Sequence, residues 1–316
     1  MINVLVTGGC GFLASHLVDY LINQDYFVVN IDKLDYCSYN NIQDIEGKYK
    51  FIHGNICNTE LINFILKEYK ITVIFHLAAQ THVDNSFFNS SQFTNDNIIG
   101  THTLLECSRL YGKLDKFIHM STDEVYGEVP DGESVKTENS ILKPTNPYAA
   151  TKASAELIAS SYYTSFKLPI SIIRCNNMYG PRQYPEKVVP AFSYNLLNDK
   201  KCKIQGTGET ERHFIYVTDV VNAIYTIYTK GGINEIYNIS TQQNYKIIDL
   251  AKMLIKKLKN TDNYNEYLEY IEDRNFNDCR YYINSDKLEL LGWKEEVSFE
   301  DGLETTIEYY KNLKID

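Results

Sequence analysis

The sequence predicts an α/β fold: a doubly wound parallel sheet with helices on both faces, followed by a smaller mixed α/β lobe. Three observations carry this. Short β-branched runs in the first half are largely apolar on both faces, as strands of a covered parallel sheet require. Helix-length amphipathic segments separate them. After about residue 175 the alternation is lost, and Pro181, Pro185 and Pro190 punctuate the chain. The expected division is 1–175 for the main domain and 176–316 for most of the lobe, with segments of about 205–250 returning to the main domain.

Taken in order, Asn3–Val6 reads as a strand, and Phe12–Gln24 as a helix with Leu13, Leu17, Tyr20 and Leu21 on one face. Phe27–Ile31 and Lys50–His53 read as strands, Thr59–Tyr69 as a helix and Val73–Leu77 as a strand. Helix Asn97–Tyr111, strand Phe117–Ser121, long helix Tyr148–Phe166 and strand Ile170–Arg174 follow. In the second half, helices are expected near Ala191–Leu197, Asp219–Thr229, Ile247–Leu258 and Phe299–Tyr310. Short strands are expected at Cys202–Ile204, Phe214–Val217 and Ile236–Ile239. The Lys/Asn/Tyr-rich stretch from Lys256 to Tyr270 reads as a loop or helix end.

The composition excludes several function classes. A chain of 316 residues with 44% hydrophobic residues can bury a substantial core. Its net charge of −10 argues against bulk binding of nucleic acid or an anionic membrane, while leaving room for a basic pocket around one phosphorylated ligand. No apolar run approaches a membrane span, and MINVLVTGG enters a strand pattern with no room for a targeting segment. Cysteines 10, 37, 57, 107, 175, 202 and 279 are odd in number and never spaced C-x-x-C. They suit a reduced, cytoplasmic compartment and no metal site.

Thr7–Ser15 reads TGGCGFLAS, between a strand and a helix. Gly8 suits the tight turn and Gly11 a close approach of a pyrophosphate to the helix N-terminus; Ala14 stands where a third glycine is usual. Asp32 closes the second strand, 21 residues beyond Gly11, the place of a carboxylate that grips an adenosine ribose diol. A carboxylate there repels a 2′-phosphate, so NAD is expected over NADP, a preference that adjacent Lys33 weakens. The fold class thus becomes a Rossmann-type one.

Tyr148 and Lys152 lie four residues apart, on one face of a helix. A nearby cation favours phenolate, which would bring Tyr148 into range as a base, and Lys152 can also hold the nicotinamide ribose. Ser121, Thr122, Asp123 and Glu124 follow a strand, at the sheet edge where ligands sit. Their types suit acid–base work on a sugar and suit a helix cap equally well.

With these segments in view, the chain resembles the extended short-chain dehydrogenase/reductase superfamily and, within it, the nucleotide-sugar 4,6-dehydratases. The resemblance rests on TGGCGFLAS, LAAQTHVDNSF (77–87), MSTDEVYGE (120–128), NPYAATKASAE (146–156), RCNNMYGPRQYPEKVVP (174–190) and DRNFNDCRYYIN (273–284). The Asp-Glu pair after threonine separates it from the 4-epimerases of the superfamily. Bacterial dTDP-glucose enzymes usually carry Glu at Gln80, Arg at Asn85 and Pro-Gly-His-Asp at 275–278. Here AAQTHVDNSF and RNFNDCRY look more like the dehydratase part of plant-type UDP-rhamnose synthases.

The resemblance implies UDP-glucose as substrate, with dTDP-glucose or UDP-N-acetylglucosamine open, and a 4-keto-6-deoxy sugar as product. It gives Tyr148 the O4 proton with Thr122 positioning the hydroxyl, Glu124 the C5 proton and Asp123 the departing C6 hydroxyl. It places Phe12, Leu13, Asn55, Ile56, Leu77, Ala78 and Ala79 around the cofactor. It places Asp84, Asn177, Glu186, Lys187, Arg212, Arg274 and Asn277 around the substrate, the two arginines on its diphosphate. His82 is expected to be structural. Family precedent implies a homodimer packed through helices near 97–111 and 148–166. A 4-epimerase and a catalytically silent NAD-binding regulator are the alternatives.

Overall fold

The computed structural model describes residues 1–38, 45–130, 132–274 and 276–313; Asn275, in the NFND segment, lies outside them. In chain order the main domain comprises β1 (Asn3–Thr7), α1 (Phe12–Asn23), β2 (Phe27–Asp32), β3 (Tyr49–His53), α2 (Thr59–Glu68) and β4 (Val73–His76). It continues through α3 (Val83–Phe88), α4 (Ser90–Phe93), a π-helical turn (Thr94–Ile99), α5 (Gly100–Tyr111) and β5 (Lys116–Met120). A 3₁₀ turn (Asp123–Tyr126), α6 (Pro147–Phe166) and β6 (Ile170–Cys175) follow. The remaining elements are β7 (Asn177–Tyr179), α7 (Val188–Leu197), β8 (Cys202–Gln205), β9 (Glu211–Tyr216), α8 (Val217–Lys230) and β10 (Glu235–Ile239). Last come β11 (Asn244–Lys246), α9 (Ile247–Lys259), β12 (Leu268–Ile271), α10 (Asp286–Glu289) and α11 (Phe299–Asn312).

Among the described residues, seven strands form one sheet in the order β10-β6-β5-β4-β1-β2-β3, with every pairing parallel. Side chains alternate between its faces. Val4 and Val6 of β1 join the cluster that includes α1 and α8, while Leu5 joins the one that includes α2, α5 and α6. Both clusters are apolar, which is why the strand sequences show no polar alternation. β10 extends this sheet beyond β6, pairing from Glu235↔Ser171 to Ile239↔Cys175.

The lobe has two small sheets, β11-β9-β7 and β12-β8. Here the structure departs from the sequence expectation: the end of the Lys256–Tyr270 stretch is strand β12, parallel to β8. Only Leu268 of its four residues is buried, so it carries no readable period. Helix also begins well before Asn97, running through α4 and the π turn into α5. Asp96 and Asn97 are buried polar residues on its inner face, and they interrupt the apolar spacing that marks a helix in sequence.

Candidate active site

The sheet order places β1 beside β4, and the chain leaves these strands toward opposite edges of the sheet. A crevice opens at their carboxyl ends, as in other open α/β sheets. It widens into a cavity of about 1080 Å³ between sheet and lobe. All the site residues named from sequence line it: Gly8, Gly11, Phe12, Leu13, Asp32, Asn55, Ile56, Leu77, Ala78, Ala79, Asp84, Thr122, Asp123, Glu124, Tyr148, Lys152, Asn177, Glu186, Lys187, Arg212, Arg274 and Asn277.

The glycine turn meets its geometric demands. Gly8 has φ +70°, and a Cβ there would sit 2.7 Å from the Ala78 Cα. Gly11 N–H donates to the Gly8 carbonyl at 2.8 Å, and among the described residues no side chain caps the N-terminus of α1. Its first N–H groups are therefore left for a ligand, as a pyrophosphate needs. Asp32 is buried and fixed by the backbone N–H groups of Cys10 (2.9 Å) and Leu34 (2.8 Å). A carboxylate has acceptor capacity beyond two such bonds, enough for a ribose diol. The donor set thus fits NAD.

Lys33 does not weaken that preference in the way its position suggests. Its ammonium lies 2.7 Å from Asp96 and 3.0 Å from Asp35. Gln80 donates its amide to the same two carboxylates, at 2.9 Å each. The lysine is neutralised in place, and Gln80 is accounted for by this network on the cofactor side of the cleft.

β5 delivers the catalytic candidates. Thr122 turns out of the strand in an extended conformation and accepts the Glu124 N–H at 3.3 Å, so the helix-cap role is also filled. Asp123 and Glu124 are both buried. Burial pushes the Asp123 carboxyl up to about 7, with the Glu124 charge adding to it and bonds from Asn176 (2.7 Å) and Thr122 (3.3 Å) opposing. Burial likewise raises Glu124 against the bond from Asn146 (3.0 Å) and the charges of Lys187 and Arg212. Two carboxylates packed side by side, with one protonated near neutrality, form an acid–base pair.

Tyr148 is buried at the start of α6, beside the acid pair. Burial, then the Glu124 and Asp123 charges, hold its phenol well above its ordinary range; the Thr122 hydroxyl works in the other direction. Burial pushes the Lys152 ammonium down to about 8, which leaves it a cation at neutral pH, and it donates to the Met120 carbonyl at 2.6 Å.

At the lobe end, the Arg274 guanidinium lies 3.1 Å from Asp84 and donates to Gln205 at 2.8 and 3.1 Å. Arg212 donates to Asn277 at 3.0 Å and lies over the Tyr281 ring, 5.0 Å from its centroid. Lys187 donates to the Thr81 carbonyl at 2.7 Å, and Glu186 accepts from the Tyr36 hydroxyl at 2.7 Å. His82 accepts the Asn85 N–H at 3.3 Å and caps α3, a structural place.

Sequence reasoning missed Asn176, Asn146 and Tyr281. Asn176, not its neighbour Asn177, holds Asp123. Asn146 caps α6 through Ala149 N–H and reaches Glu124 with its amide; asparagine before Pro147 announces the cap and nothing about the acid. Tyr281 approaches Glu124 at 3.4 Å from 157 residues away, with no local signal. Among the described residues there is no cluster suited to a metal ion and no helix long and apolar enough to cross a membrane.

Comparison with known proteins gives concordant results. The family model described as GDP-mannose 4,6 dehydratase matches residues 5–306. A mouse protein named dTDP-D-glucose 4,6-dehydratase is 46% identical, over 98% of this chain and 88% of its own length. A trifunctional Arabidopsis thaliana UDP-glucose 4,6-dehydratase/3,5-epimerase/reductase is 45% identical over 98% of this chain, which spans 47% of that longer protein. The crystal structure of a Streptomyces venezuelae dTDP-glucose 4,6-dehydratase with NAD bound superposes with a TM-score of 0.92 at 35% identity, covering 98% of this chain and 97% of that one.

Proposed function

From the premise that this chain belongs to the nucleotide-sugar 4,6-dehydratase family and uses NAD, we propose that it converts UDP-glucose to the 4-keto-6-deoxy sugar. The observation that carries the reading is the buried Asp123–Glu124 pair opening on the cavity shared by Tyr148, Lys152 and the glycine turn. A sugar lying against these groups meets a hydroxyl acceptor, a carboxylate base and a carboxylic acid within one enclosed space.

When bound, held by the glycine turn, Asp32 and Lys152, NAD would supply what no side chain here can, a hydride acceptor for C4 and a hydride donor for C6. Tyr148 takes the O4 proton as its phenolate, the form that the Lys152 cation one helical turn away favours, and Thr122 orients that hydroxyl. The resulting C4 ketone acidifies the C5 hydrogen, which Glu124 removes as a proton. Asp123 gives its proton to the departing C6 hydroxyl, water leaves, and Glu124 returns its proton to C5 as C6 is reduced. An acid with a pKa near 7 is well matched to that step at neutral pH. Lys152 keeps donors beyond its bond to Met120 for the cofactor ribose. The phosphate-binding reading of Arg212 and Arg274 is supported by their place on the cavity wall, each pre-oriented by an amide side chain.

UDP is favoured by the AAQTHVDNSF and RNFNDCRY segments; dTDP-glucose is the second reading, favoured by the mouse relative. A homodimer is proposed through α5 and α6, where the large apolar side chains of Leu110, Leu157 and Phe166 are exposed. The deciding experiment incubates the NAD-loaded protein with UDP- and dTDP-hexoses and weighs the products. Loss of one water from UDP-glucose is expected. A product of unchanged mass would point to epimerisation, and retained NAD without turnover to a regulator; either would overturn the reading.

A further inference from the structure

Tyr281 stands between two carboxylates. Its hydroxyl makes a very short hydrogen bond to Asp278 and a long one, 3.4 Å, to Glu124. A phenol has one proton to donate, so these acids compete for it, and the geometry gives it to Asp278. Asp278 is buried, and its other partner is the Thr145 hydroxyl, at 2.8 and 2.9 Å from its two oxygens. Asp278 comes from the segment after β12, Thr145 from the loop before α6, and Glu124 from the turn after β5. Three distant parts of the chain meet around one proton.

We propose that Asp278 is a positioning residue that draws the Tyr281 proton away from Glu124 and so keeps the Glu124 carboxylate basic enough to abstract a carbon-bound proton. A full hydrogen bond from Tyr281 would stabilise the Glu124 carboxylate and make it a weaker base. Burial and the Glu124 charge keep Tyr281 protonated, so it stays a donor throughout. The charged and titratable groups facing Glu124 are Asp123 on its own turn, Tyr148 on α6, Lys187 before α7, Arg212 on β9, and Asp278 with Tyr281. Lys187 and Arg212 pull the Glu124 pKa down, and Asp278 opposes them twice, by its charge and by capturing the phenol.

The inference rests on the reading of Glu124 as the base at C5, but its test reads the carboxyl itself. NAD-loaded protein carrying ¹³C at the glutamate side-chain carboxyls is titrated by NMR, with the Glu124 resonance assigned by its absence in Glu124→Gln. Asp278→Asn should lower the Glu124 midpoint by about one pH unit, and much of that fall should vanish when Tyr281→Phe is also present. An unmoved midpoint, or the same fall in both backgrounds, overturns the proposal. Should Asp278→Asn fail to fold, Tyr281→Phe alone decides. If Asp278 holds the proton, the Glu124 midpoint stays in place; a rise would show that Tyr281 had been serving Glu124. Product analysis with UDP-glucose, run separately, tests the base assignment without touching this result.

Discussion

Two neighbouring carboxyls with separated tasks give the site its acid and its base. Asp123 holds its proton up to about pH 7 because it is buried beside Glu124. The water-loss step should therefore weaken as pH rises through about 7, when Asp123 loses the proton it must donate. A single-turnover pH profile measures this; the same high-pH decline persisting in Asp123→Asn would remove Asp123 as its source. In that variant the general-acid contribution, about 10²–10⁴-fold, should be lost from water release. Glu124→Gln should still oxidise C4 and stop before water loss, leaving a 4-keto hexose that retains its C6 hydroxyl. Wild-type amounts of the dehydrated sugar from this variant would take Glu124 out of the base role. Residue types at 122–124 were readable from sequence, but the protonation of each acid was not, because burial sets it. Lys152 makes the same point: its four-residue spacing from Tyr148 was readable, but its bond to the Met120 carbonyl was not.

Secondary-structure elements hold these residues in place by means that differ in legibility. The glycine turn between β1 and α1 is local, so TGGCG announces it. Gly8→Ala combines strain at φ +70° with a Cβ 2.7 Å from the Ala78 backbone. It should lose NAD affinity by about tenfold or more in equilibrium titration, and unaltered binding would contradict the tight fit of the turn against the segment after β4. α6 is anchored by a contact of another kind. Arg174 on β6 and Glu156 on α6 form a buried ion pair at 2.6 Å, with Arg174 also donating to the Tyr126 hydroxyl at 2.7 Å. Glu156→Ala strands a buried guanidinium and should cost about 3–5 kcal/mol in denaturant unfolding; a loss below about 1 kcal/mol would mean that water reaches Arg174. Neither residue stands out in sequence, because a buried charge is recognised only by its partner.

At the scale of the whole molecule, the order of strands makes the crevice and the lobe encloses it. The proposed dimer adds a surface to this: Leu157→Glu on α6 and Leu110→Glu on α5 should shift sedimentation toward the monomer. A protein that already sediments as a monomer at micromolar concentration would end that proposal. The acidic net charge places no bar on an anionic ligand, since Lys187, Arg212 and Arg274 are gathered on the cavity wall from separate parts of the chain.

The sequence alone determined what is local: the parallel α/β alternation, the glycine turn with its Asp32, the Tyr148/Lys152 face and the run Thr122–Glu124, each written in one element or in neighbouring ones. Tertiary structure decided what depends on partners far along the chain. It chose β6 as the partner of the returning strand β10, tied Lys33 to Asp96, gave Asp123 to Asn176, and set Tyr281 and Asp278 beside Glu124. The reason is physical: backbone preferences act over a few residues, whereas desolvation and charge act through space, and only a folded chain fixes those distances.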